Sequence, residues 1–146
     1  MLDPMNEVTV VHLVSADTHP ALSAELAICN FTDYIEIQLE TDPAKTCASI
    51  SQSAVTAHLT IIATGKACEQ LPAIALAQKA GNRKILSYQL ISPALPPFTE
   101  TWPNAPITAY FSPGSIIPRD VSLRGIEVAS FPGEPAFAAL IDNCLP

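Results

Sequence analysis

The chain has 146 residues, a formal net charge of -7, 49% hydrophobic and 14% charged residues, the make-up of one folded domain of about 100 to 150 residues rather than of a disordered chain. Its seven lysines and arginines are scattered at 45, 66, 79, 83, 84, 119 and 124, so no basic stripe exists to neutralise nucleic-acid phosphates. No apolar run reaches the roughly 18 residues of a membrane span, and MLDPMNE carries acids where a secretory signal carries lysines, so the expectation is a cytoplasmic protein with no membrane association.

In chain order, VTVVHLVSA from Val8 is a nearly continuous β-branched run, the pattern of a parallel strand buried on both faces. Asp17 and Thr18 follow, and HPALSAELAIC reads as a helix with proline in its first turn and a stripe of Ala21, Leu22, Leu26 and Ile28. DYIEIQLE alternates Tyr34, Glu36, Gln38 and Glu40 with Ile35, Ile37 and Leu39, which predicts a strand with one solvated face near a sheet edge. Asp42-Pro43 opens a second helix, AKTCASISQSAVTA.

HLTIIAT, apolar through its centre, predicts a central third strand. CEQLPAIALAQKA predicts a third helix that buries Leu71, Ile74, Ala75 and Leu76, tolerates Pro72 in its first turn and stops at Gly81. RKILSYQLIS is a fourth strand, ended by the Pro-rich loop PALPPFTETWPNAP, in which Phe98 and Trp102 are expected to shield the core, with covering a cleft as the alternative. APITAYFS is a fifth, SIIPRDVSLRG a loop with a short helical piece, GIEVASF a sixth, and EPAFAALIDNCL a closing helix. Alternating strands and helices call for a mostly parallel sheet of about six strands in a three-layer α/β/α sandwich, one domain over residues 1–146. Ligands in such sheets bind beyond the carboxyl ends of the strands.

TIIATGKACEQLPAIALA is a sharp strand-to-helix turn. It has one glycine where a phosphate cradle needs several, and Glu69 would repel the anion. Cys29, Cys47, Cys68 and Cys144 have no C-x-x-C spacing, so neither metal nor disulfide is expected; Cys29, Cys47 and Cys144 read as buried thiols. His12 reads as a hydrogen-bonded core residue, His58 as structural at the opposite end of the sheet.

The turn resembles the nucleophile elbow of the α/β-hydrolase family, G-x-S-x-G between an apolar strand and a helix of small residues. Aligned so, GKACE puts Gly65 on the first glycine, Lys66 on the variable position, Ala67 on the nucleophile, Cys68 after it and Glu69 on the last glycine. RKILSYQLISPALP resembles that family's "vLvSP" strand, APITAYFSP the strand leading to the catalytic acid, and GIEVASFPGEPAFAALIDNCL the last strand, "PGGH" turn and final helix. The similarity spans most of residues 8–146.

The resemblance implies a lost triad, because Ala67 stands for the nucleophile, Ser112 to Ser115 for the acid, and Glu134-Pro135 where a histidine should follow Pro132-Gly133. It also implies a ligand pocket formed by Ser15, Ala16, Asp17, His19, Lys66, Ala67, Cys68, Ser112 and Glu134, with no cofactor. Asp17 and Lys66 are candidates for an ion pair or a polar ligand contact across its mouth, with a solvated loop charge as the default reading of each; His19 is by default a surface residue, and Glu134 a helix-start carboxylate. As catalytic candidates remain Cys68, as a displaced thiol set against its default as a structural or backbone oxyanion-type position, Glu134 and Asp17.

The expectation is therefore a noncatalytic hydrolase homologue that binds a small apolar molecule or a protein partner, a further copy of itself included. The alternatives are an enzyme reusing the pocket for cyclisation, dehydration or isomerisation, and a hydrolase or thioesterase using Cys68.

Overall fold

A computed structural model describes residues 8–18, 20–28, 33–54, 56, 58–96, 102–111, 114–130 and 140. In order these form β1 (Val8–Val14), α1 (Pro20–Ala27), β2 (Asp33–Gln38), α2 (Pro43–Ser53), β3 (His58–Thr64), a 3-10 segment (Gly65–Gln70), α3 (Leu71–Ala80), β4 (Lys84–Ile91), β5 (Ile107–Phe111), α4 (Arg119–Leu123) and β6 (Glu127–Ser130). The six strands make one sheet in the order β2-β1-β3-β4-β5-β6, and every neighbouring pair is parallel. β2 is an edge strand, as its alternation predicts, because Glu36 and Gln38 face water while Ile37 is buried. β1 and β3, apolar throughout, sit inside the sheet.

Side chains alternate across this sheet into two apolar clusters. Val10, Ile62, Ile91 and Tyr110 pack with Leu22 and Leu26 of α1 and with Leu140. Val11, Leu13, Ile61 and Ala63 pack with Ile50 of α2 and Leu71, Ile74 and Ala75 of α3. The general right-handedness of parallel crossovers accounts for this division. The chain steps from β1 one way to β2, and then back past β1 to β3 and on to β4, so α1 falls on one face and α2 and α3 on the other.

Local chemistry sets the helix ends. Asp42 caps α2, its carboxylate accepting the Ala44 N–H at 3.0 Å, and Pro43 follows where a missing N–H does no harm. α3 buries Leu71, Ile74, Ala75 and Gln78, a stripe with steps of three, one and three residues that keeps to one face of a 3.6-residue period. Leu76, expected in the core, falls off this stripe and is 57% exposed. Gly81 ends the helix as expected, donating to Ala77 O and Gln78 O, but the left-handed residue is Asn82, at φ 59.

Trp102, in the Pro-rich loop, is wholly buried and meets the Tyr88 ring edge-on at 6.0 Å; the Tyr88 hydroxyl donates to Asn104 Oδ1 at 2.5 Å. Its shielding role is thus as expected, whereas Phe98 and most of the closing helix lie outside the described residues.

His12, in the middle of β1, is fully buried. Tyr34 donates its hydroxyl proton to Glu36 Oε1 at 2.9 Å, so the 3.1 Å contact between His12 Nδ1 and the Tyr34 oxygen is made by an Nδ1–H donor. Nε2 is then a bare acceptor, buried with no partner. Protonating it would place a charge in apolar surroundings, and burial lowers its pKa to about 4 in spite of the nearby Glu36 carboxylate. The unfolded chain therefore binds the proton first, so stability present above pH 6.5 is lost as the pH falls toward about 4. On the order of 3 kcal/mol is at stake for a shift of this size. Urea denaturation from pH 7 to pH 4 is expected to give a steeper loss of stability for the wild type than for His12→Gln, and equal slopes would exclude His12 as the source.

Candidate functional site

The order of the strands reverses between β1 and β3, and this switch point is where a doubly wound sheet opens a crevice beyond its carboxyl ends. Two connections meet there. After β1, Ser15 to Thr18 forms a tight turn in which Thr18 N donates to Ser15 O at 3.1 Å, Ser15 N to Thr18 Oγ1 at 3.0 Å, and Asp17 N to Ser15 Oγ at 3.3 Å. After β3, the 3-10 segment begins at Gly65 with φ 58.

The two turns touch through Asp17, whose Oδ2 accepts the Lys66 backbone N–H at 3.1 Å. This contact uses the Lys66 backbone amide rather than its ammonium, and both residues are exposed, as solvated loop charges are. Gly65 makes the approach possible, since a Cβ at this residue would stand 2.6 Å from Asp17 Oδ2 and 3.0 Å from its Cγ. The same turn is tied to the loops after β2 and β4. Gln70 Nε2 donates to Glu40 O at 2.7 Å, and Ala94 N donates to Gly65 O at 3.1 Å. Just before the turn, Thr64 Oγ1 is buried without a partner.

The apex of the turn differs from the expected one. Gly65 is half-buried and Lys66 exposed, whereas Ala67 and Cys68 have no exposed surface and lie in the core with Leu71 and Ile74. Among the described non-glycine residues only Asn82 and Ser92 have positive φ, so Ala67 lacks the strained conformation that lifts a nucleophile out of an elbow. The physical reason is the 3-10 geometry, which closes the turn in three residues per repeat and rolls residues 67 and 68 inward onto the sheet.

Cys68 is correspondingly unsuited to nucleophilic chemistry. Burial pushes its thiol far above the ordinary range, and the Glu69 and Asp17 carboxylates add to this against a backbone hydrogen bond. Cys47, half-buried, is shifted up as well, by burial and by Asp42. Ser15 is half-buried and Ala16 exposed beside Asp17; His19, Ser112 and Glu134 lie outside the described residues, as do Cys29 and Cys144. Neither His12, in mid-strand and bonded to Tyr34, nor His58, at the amino end of β3, stands at the turn. Among the described residues no group of three His, Cys, Asp or Glu side chains is placed to hold a metal ion, and no helix is long and apolar enough to cross a membrane.

A cleft of about 370 Å³, lined by Lys79, Asn82, Arg83, Lys84, Ile85 and Asn104, opens instead at the amino end of β4. Arg83 donates there to Ile50 O and Ser51 O, two of the last four carbonyls of α2, the plain use of a cation at a helix C-terminus. Sequence reasoning had no signal for this cleft, because its lining joins residues 79–85 to the distant Asn104.

With its thiol buried and disfavoured as thiolate, Cys68 is expected to resist iodoacetamide in the native protein at pH 8 and to be modified only on unfolding, as read by peptide mass spectrometry. Rapid native labelling of Cys68 would contradict its burial.

No protein-family model matches the chain, and no curated protein matches it.

Proposed function

We propose that this chain is a noncatalytic α/β-hydrolase-like protein, a three-layer sandwich that binds a small apolar ligand or a protein partner and turns over no substrate. The observation that carries this is the bend at Gly65, a strand-to-helix turn at the switch point whose left-handed residue has no side chain. Acyl transfer needs a nucleophile with a base in hydrogen-bond reach. At this turn the neighbouring thiol is buried and shifted toward the neutral form, and neither described imidazole stands beside it. A protein partner is favoured by exposed apolar side chains along the stretch that leads into edge strand β6, in which Ile116 is 93% and Leu123 83% exposed and Ile117 and Val128 are open to solvent.

Incubation with p-nitrophenyl esters and acyl thioesters is expected to give no turnover above buffer, and sedimentation at micromolar concentration a mass above that of one chain. Turnover that disappears in Cys68→Ala or Asp17→Ala would overturn the noncatalytic reading. A strictly monomeric protein that also takes up none of a set of fatty acids and small apolar esters would overturn the binding one.

A further inference from the structure

We infer that residue 65, rather than 67, is the nucleophile position of this turn, and that the Asp17 carboxylate stands in that position as a built-in block. The inference rests on reading the turn as hydrolase-like, and three observations converge on it. Gly65 directly follows the last residue of β3 and has φ 58, and a nucleophile elbow is a sharp, strained strand-to-helix turn at this point. The flanking residues Ala63 and Ala67, two before and two after, are the small residues that such a turn needs on either side. The space in which a side chain at 65 would begin is taken by Asp17, with Oδ2, Cγ and Cβ at 2.6, 3.0 and 3.1 Å from the Cβ site.

The block acts on two groups together. It fills the volume of a side chain at 65, and it occupies the Lys66 N–H, which is the amide following the nucleophile position and the donor a hydrolase turns toward an oxyanion. The turn is thus inert for two coupled reasons, and a new side chain at 65 alone would not make it reactive. Asp17 is exposed, so its carboxylate can swing outward only by giving up a charge-assisted hydrogen bond.

The test installs a thiol as a reporter. In alkylation by iodoacetamide the thiolate sulfur forms the new C–S bond, iodide leaves, and the thiol proton passes to solvent. In Gly65→Cys the carboxylate next to the sulfur disfavours the thiolate and obstructs attack. In Gly65→Cys with Asp17→Ala both obstacles are gone and the Lys66 N–H is free to face the sulfur. The second protein is expected to be alkylated at residue 65 at least ten-fold faster at pH 7, read by peptide mass spectrometry, with Gly65→Cys, Asp17→Asn between the two because it keeps the volume and removes the charge.

A companion measurement does not depend on a reactive thiol. Gly65→Ala is expected to lower the melting temperature more when Asp17 is present than in Asp17→Ala, since only the conformational strain at φ 58 and a tight Cβ contact survive in the latter. Equal alkylation rates in the two backgrounds, or equal melting-temperature losses, would overturn the block. Neither readout uses the activity of the native chain, so ester turnover by the wild type would defeat the proposed function and leave this result to be judged separately.

Discussion

A carboxylate reaching across the switch point of the sheet to a backbone amide, over a residue with no side chain, holds the candidate site together. The Asp17 to Lys66 contact exists only because residue 65 is glycine, for two reasons that coincide: a left-handed φ and the absence of room for a Cβ. The segment that leaves Gly65 closes as a 3-10 turn, and this tighter winding rolls Ala67 and Cys68 into the core. Hydrogen bonds from Gln70 to Glu40 and from Ala94 to Gly65 then bind the same turn to the connections after β2 and β4. The turn is anchored to three neighbouring loops, and among the described residues its exposed rim carries the Asp17 carboxylate and the Lys66 ammonium.

Burial supplies the frame for that junction. Two apolar clusters on opposite faces of one parallel sheet draw α1 to one side and α2 and α3 to the other, and the accompanying reversal of strand order sets the switch point at which the two turns meet. The His12, Tyr34 and Glu36 chain on β1 and β2 is a polar interruption of one face. Its outer end reaches water through Glu36 while its inner end stops at a nitrogen without a partner. Such a group is tolerable because the neutral imidazole is the form favoured by burial.

How far this was legible in the amino-acid order depends on the range of the interaction. DYIEIQLE identifies an edge strand by its alternation and HLTIIAT a central one by its lack of it, since burial on one or two faces is a property of a strand's own pattern. Asp42-Pro43 and Pro72 announce helix starts through local backbone rules. Leu76 shows where pattern reading falls short. The stripe Leu71, Ile74, Ala75 and Gln78 places a polar residue inside and a leucine outside, and only the packed position of the helix decides between adjacent faces when most candidates are apolar.

The sequence by itself determined the alternation of strands and helices, the edge and central character of β2 and β3, and the presence of a sharp turn after Thr64, because each follows from periodicity or from backbone rules over a few residues. It did not determine which residue stands at the apex. Ala67 was the expectation from motif spacing, and the tertiary structure moved the left-handed position to Gly65 and set Asp17 against it. That outcome depends on a contact between residues 49 positions apart, and a contact of that kind is decided by how the sheet assembles, which no short stretch of chain encodes.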